Sequence, residues 1–255
     1  MSLTPRASVM RLTEPKALIK TGICLPTTFS NNNVGVDVSS DPIATSLRFN
    51  ISGNTFTKSR AVAINSFQNA NPPFNRNVNG TIQNNTIGTL GTASSGSHLG
   101  NGISIQNEGA ITVNILITGN TVQEVASFAG ISSNVGLSGI ATGGGTTNLT
   151  ITNNLVRNIG SRAIVVQDNQ VTAPLFPTVC VDISGNSFSG IAGQAGNGEF
   201  MRVRQLNGTF KVRQTTPTAV AVATQLDDAN GFNDPTKINV SGTVTFNAGP
   251  CTQPS

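Results

Sequence analysis

The chain has 255 residues, of which 10% are charged and 5% aromatic, with no Trp, no Tyr and a formal net charge of +4. Globular domains typically carry about 25% charged residues; disordered chains are poor in β-branched residues, whereas Ile, Val and Thr are plentiful here, so the composition reads as a β protein surfaced with Thr and Asn. No apolar run reaches the ~18 residues of a membrane span, and the pI of about 9.3 comes from scarce acids rather than from a basic tail.

The N-terminal stretch MSLTPRASVMRLTEPK has no apolar core, so it is not a standard signal peptide. Residues 1–42 lack the repeated phrase that dominates the middle of the chain. They are expected to form a cap or a partial coil of a longer array.

From residue 43 to 206 the chain repeats itself: ISGNTF, IQNNTI, ITGNTV, ITNNLV and ISGNSF. Aligned on their last Asn, the phrases place Asn54, Asn85, Asn120, Asn154 and Asn186 in one column. Three residues earlier stands Ile every time: Ile51, Ile82, Ile117, Ile151 and Ile183. Leu47 and Phe49, Val113 and Ile115, or Val179 and Val181 precede it at alternate positions, the period of a half-buried strand. Ser52, Gln83, Thr118, Thr152 and Ser184 form a wet column, and Asn50, Thr81, Leu116, Thr150 and Asp182 a second. Just before each Asn stands only Gly or Asn, the residues that best tolerate positive φ, so each strand is expected to end in a left-handed kink. The Asn after the kink is placed to stack on its equivalents, its amide donating and accepting along the column.

This phrase resembles the repeat of the right-handed parallel β-helix, in the pectate-lyase-like class, and the whole chain looks like the C-terminal end of large exported bacterial β-helix proteins. The expected fold is therefore all-β: a right-handed parallel solenoid of about five to six coils, closed by a C-terminal cap at 207–255. A second strand is expected in each turn: AVAIN from residue 61, GISIQN from 102, RAIVVQ from 162, and AGISS from 129 or SGIAT from 138 in the middle coil. The remaining length falls in loops at 68–80, 88–101 and 170–178.

The cap reads as a hairpin followed by a helix. RVRQLNGTFKVR, at 202–213, centres on Asn207-Gly208, the commonest two-residue hairpin signal. On that reading Arg204 faces Lys211 and Arg202 faces Arg213, four cations on one face that an anionic polymer would neutralise. Pro217 and Gly231 bracket a helix over about 218–229, and 237–246 is a frayed copy of the repeat strand. Cys180 lies in the last full repeat and Cys251 near the end of the chain. A disulfide between them would pin the cap and imply an oxidising compartment, with Cys24 left over. Three reduced, buried thiols are the alternative. The terminal AGPCTQP resembles the ends of those exported proteins, where a late Cys recurs.

Candidate chemistry is sparse. His98 is the single histidine, with no nucleophile elbow around it. Glu108 and Asp168 both end second-strand segments, two coils apart, about 10 Å at ~4.8 Å per coil, near the upper limit for an inverting carboxylate pair. Polysaccharide lyases of the resembled class use acids for Ca²⁺ and a Lys or Arg base on the outer sheet face. The two wet columns hold one acid and no base.

The expected function is a non-catalytic, secreted or cell-surface module, a stalk or adhesin-like end that binds surface glycan or another anionic polymer. It needs no cofactor or metal, recognises no specific nucleic acid, and works as a monomer or as one stretch of a longer array. A carbohydrate-active lyase or hydrolase, with Ca²⁺ as its cofactor, is the alternative. A phage tail-fibre fragment is the third reading.

Overall fold

The computed structural model describes residues 20–24, 26–39, 46–68, 77–135, 144–168, 176–192, 198–215 and 221–254. Residues 1–19, most of the loops at 68–80 and 170–178, and the candidate strand at 138 lie outside them.

The chain winds as a parallel solenoid with three sheets, all of whose strand pairs are parallel. Sheet I runs Lys20–Cys24, Ser46–Ser52, Asn77–Gln83, Thr112–Thr118, Thr146–Thr152, Thr178–Ser184, Thr209–Arg213 and Val244–Asn247. Sheet II runs Thr28–Ser30, Thr55–Thr57, Thr86–Ile87, Thr121–Val125, Leu155–Ile159 and Ser187–Ile191. Sheet III runs Val36–Ser39, Ile64–Gln68, Ile103–Asn107, Ile131–Val135, Ile164–Asp168, Met201–Arg204 and Ile238–Ser241.

Each full turn therefore holds three strands, where the sequence pattern predicts two. The apolar residue two places after each Asn, such as Phe56 or Val122, belongs to its own short strand beyond the kink. In the middle coil the strand is Ile131–Val135, paired with Ile103–Asn107 and Ile164–Asp168.

The interior follows from the period-two pattern. Ile51, Ile82, Ile117, Ile151 and Ile183 are register partners in sheet I and are fully buried. Each such side chain contributes about 1.5–3 kcal/mol. Where one coil places Gly80, the ring of Phe49 from the coil before fills the space a Cβ would need.

Between sheets I and II the chain turns through the left-handed region, with φ of +71° at Gly53, +54° at Asn84, +65° at Gly119, +56° at Asn153 and +66° at Gly185. The alternation of Gly and Asn has a steric cause. Asn84 Oδ1 lies 2.5 Å from where a Cβ on Gly119 would sit, and Asn153 Oδ1 lies 2.5 Å from the same position on Gly185. An Asn at one corner leans onto the next corner, and only Gly fits beneath it.

Inside that corner runs the asparagine ladder. Asn54 Nδ2 donates to Asn85 Oδ1 at 3.1 Å, Asn85 to Asn120 at 2.9 Å, Asn120 to Asn154 at 3.0 Å and Asn154 to Asn186 at 2.9 Å. The backbone N–H of each donor Asn reaches the same oxygen. Each amide also ties back to the coil before: Asn85, Asn120, Asn154 and Asn186 donate to the carbonyls of Ile51, Ile82, Ile117 and Ile151 at 2.9–3.0 Å. All five Asn side chains are buried.

Both ends of the ladder are closed. At the N-terminal end Thr27 N–H donates to Asn54 Oδ1 at 3.1 Å. At the other end a helix, Val222–Asn230, occupies the place of a sheet II strand and buries Val222 and Leu226 against the core. Its last residue, Asn230, is a sixth ladder member: its Oδ1 accepts from Asn186 N–H at 3.0 Å and from Asn186 Nδ2 at 2.9 Å. Gly231 at φ +68° then ends the helix.

The expected hairpin is not there. Met201–Arg204 sits in sheet III between Ile164–Asp168 and Ile238–Ser241. Thr209–Arg213 sits in sheet I between Thr178–Ser184 and Val244–Asn247. Parallel pairing on both sides satisfies each backbone and buries Met201, Val203, Phe210 and Val212, which overrides the local turn signal at Asn207-Gly208. The frayed strand at 237–246 likewise divides, into Ile238–Ser241 and Val244–Asn247, about Gly242 at φ +81°. Beyond it the C-terminal tail folds back over the outer face of sheet I. Cys251 is disulfide-bonded to Cys180, with Cα atoms 5.6 Å apart, and Gln253 Nε2 donates to Thr150 Oγ1.

Asn120→Ala removes the acceptor of the buried Asn85 N–H and of one of the two hydrogen bonds from Asn85 Nδ2, together with the side-chain donor to the Ile82 carbonyl. It should lower unfolding free energy by at least about 3 kcal/mol in denaturant titrations, and a loss below about 1 kcal/mol would contradict the ladder. Cys251→Ser removes a cross-link spanning 71 residues and should cost about 4 kcal/mol on the chain-entropy account, seen as a lower thermal midpoint that reductant no longer changes.

Candidate functional site

Because the interior closes on itself, chemistry must lie on the outward faces. Outward positions of sheet III form two columns across the coils. One passes from Ser104 and Ser132 through Val165 to Arg202 and Asn239. The other passes from Gln106, Asn134 and Gln167 to Arg204 and Ser241. Gln167 Nε2 donates to Asn134 Oδ1 at 2.7 Å, so a run of side-chain amides leads up to the arginines.

The four cations expected on one face are split between two. Arg202 and Arg204 share the outer face of sheet III. Lys211 and Arg213 lie on sheet I, where Lys211 stands in register between Cys180 and Thr245. Arg213 is paired with Asp182, Nη1 to Oδ2 at 2.5 Å. Arg204 therefore does not face Lys211, nor Arg202 Arg213.

Arg202 instead has neighbours that sequence spacing did not reveal. Arg162 and Glu199 form a buried ion pair, with Arg162 Nε 2.7 Å from Glu199 Oε2. Glu199 Oε1 accepts from Asn239 Nδ2 at 2.9 Å. Burial pulls the Glu199 carboxyl upward, but the hydrogen bonds from Arg162 and Asn239 and the charges of Arg162 and Arg202 outweigh it and hold the group below the usual range. Arg202 is half-buried, and its buried Nε has no hydrogen-bond partner among the described residues. Burial, and then the charge of Arg162, weaken its hold on its proton; Glu199 opposes this and Arg204 adds to it.

The candidate acid pair is not assembled as spaced. Asp168 shares a column with Val135 and Asn107, so Glu108 lies one residue past that column. Asp168 is wholly buried and its Oδ2 accepts from the N–H groups of Asn207 at 3.1 Å and Gly208 at 2.5 Å. It anchors the bend that joins sheets III and I. Glu108 is buried beside the end of its strand, and burial raises its carboxyl pKa from 4.5. His98 is exposed on the loop at 88–101, its backbone N–H bonded to Ser59 O at 3.0 Å.

A second asparagine column escaped the sequence reading. On the outer face of sheet I, Asn114 Nδ2 donates to Asn79 Oδ1 at 3.0 Å and Asn148 Nδ2 to Asn114 Oδ1 at 2.8 Å. The column continues in register to Cys180. Its signal was present: an Asn six places before three of the five ladder asparagines.

No protein-family model, no curated protein and no solved structure matches the chain.

Asp168→Ala strands the N–H groups of Asn207 and Gly208 and should destabilise the fold by about 2 kcal/mol, with new proteolytic cleavage at 205–208; an unchanged cleavage pattern would contradict the anchoring. Glu108 has a folded-state pKa above its unfolded 4.5, so its contribution is fully favourable below 4.5 and is lost as pH rises through the folded value. Glu108→Gln should therefore stabilise the protein at neutral pH and make no difference in acid well below 4.5, as read from urea midpoints at the two pH values.

Proposed function

We propose that this chain is a non-catalytic β-solenoid module of an exported surface protein, a rigid stalk whose side face holds a surface polymer. The observation that carries this reading is the use its carboxylates are put to. Asp168 holds a backbone bend and Asp182 holds Arg213. Glu199 holds Arg162 and Asn239. Glu124 accepts from Gly91 N–H at 2.9 Å and Asn158 Nδ2 at 2.8 Å. Catalytic acids of a glycosidase or lyase stand in a groove, free to meet substrate or metal. These four stand within the scaffold and hold it together.

Stiffness supports the same reading. An interior hydrogen-bonded from Thr27 to Asn230, with a tail tied across sheet I by a disulfide, resists fraying from the end where a solenoid is weakest. The disulfide also supports an exported setting, since such bonds persist in oxidising compartments.

The enzyme alternative keeps one favourable observation, the raised pKa of Glu108, which is what a general acid requires. A turnover screen against neutral and acidic polysaccharides, with and without Ca²⁺, separates the two. We expect retention of the protein on a surface polymer and no new reducing ends or unsaturated products; product release abolished by Glu108→Gln would replace the stalk with an enzyme.

A further inference from the structure

The outer face of sheet III carries a concentration of positive charge at its Met201–Arg204 strand. Arg202 and Arg204 stand two residues apart on one strand, both pointing outward. Neither forms an ion pair among the described residues, where the two salt bridges are Arg162–Glu199 and Arg213–Asp182. Arg162 adds a third guanidinium beside Arg202, and among the described residues Glu199 is the one carboxylate acting on Arg202. Both oxygens of Glu199 are already taken, by Arg162 and by Asn239. Like charges held close together are destabilising, and an anion seated over the solvent-facing ends of the two guanidiniums would offset that cost.

The shape of the demand narrows the anion. Two arginines on the same face of one strand can each turn N–H groups toward one tetrahedral oxyanion, which has three or more oxygens to share. A lone carboxylate fills one guanidinium fork. From Arg204 the column continues through Gln167 and Asn134 to Gln106, uncharged amides at ~4.8 Å intervals that suit hydroxyl groups. Nucleic acid would need cations along the whole track and aromatic faces for its bases, whereas here the cations are confined to one end.

We propose that Arg202 and Arg204 form a binding site for a phosphate ester on a glycan, the phosphate seated between the two guanidiniums and the sugar chain lying along Gln167 and Asn134. Arg162 and Glu199 are positioning residues: their buried pair holds the strand end beneath Arg202. This rests on the reading of the chain as a polymer-binding module and names that polymer's chemistry.

The test is calorimetric titration of the intact protein with a hexose 6-phosphate, the unphosphorylated hexose, inorganic phosphate and an oligouronate, with anionic phospholipid vesicles as a separate arm. We expect the hexose phosphate to bind more tightly than inorganic phosphate. The unphosphorylated hexose and the oligouronate should bind at least about 10-fold more weakly, and Arg202→Gln with Arg204→Gln should lower affinity by about 10-fold or more. The variant Arg48→Gln with Arg60→Gln removes the same charge from other faces and should stay within about twofold of the unaltered protein, since screened charges at a distance contribute little. Oligouronate binding as tight as that of the hexose phosphate, equal loss in both double variants, or vesicle binding without hexose-phosphate binding would each overturn the site. Because the double variant could lose its fold, its thermal midpoint is measured alongside, and Arg204→Gln alone repeats the titration; competition by inorganic sulfate on the unaltered protein gives a readout free of mutation. Polymer retention that survives in the Arg202/Arg204 variant would leave the stalk reading intact and remove only this site, whereas product formation in the turnover screen would remove the stalk reading itself.

Discussion

One side-chain amide bonded to the next, inside a dry corner, is the constraint on which the rest of this molecule depends. An amide buried without partners is costly, so each ladder Asn needs the coil above and the coil below at a fixed offset. The tie from Asn85, Asn120, Asn154 and Asn186 to an Ile carbonyl of the preceding coil fixes that offset a second time. A slip of one residue would turn the Ile column outward and leave the amides unpaired together. Register is thus set by polar and apolar terms that fail at the same step.

The corner geometry follows from that constraint. To bring the amide inside, the residue before it must take positive φ, which selects Gly or Asn. Stacking then forbids two Asn corners in succession, because the side chain of one occupies the space over the next. The same logic explains how the solenoid ends. A helix can replace a strand in the last turn only if it delivers an amide to the same place, and Asn230 does so from the C-terminal end of Val222–Asn230. The strap formed by Cys251 and Gln253 over sheet I then covers part of an outer face near the end.

A scaffold that satisfies itself internally leaves its outward columns at liberty to differ. On sheet I they became a second amide column and the seat of the tail. On sheet III they became amides leading to two arginines. The side face is where a polymer can lie lengthwise, since its residues recur at the strand spacing of ~4.8 Å while the chain of a polymer extends in the same direction.

The coil, its inward Ile column and five of the six ladder asparagines were legible in the sequence because a solenoid writes the same local solution once per turn, and period two with Gly or Asn before Asn has no simpler cause. Asn230 was not legible, since its neighbours spell a helix and its ladder role exists only where that helix docks. Asn207-Gly208 carried a true local turn signal, but the bend it makes is held by Asp168, 39 and 40 residues away, and the strands on either side pair with coils rather than with each other. Arg162 and Glu199 stand 37 residues apart, a distance at which no pattern marks a pair. The amino-acid sequence by itself determined the winding and the interior, because both rest on interactions repeated at a constant interval. The tertiary structure alone decided the grouping of charge on the surface, because side chains from different turns meet there only after every coil length, loops included, has been laid down.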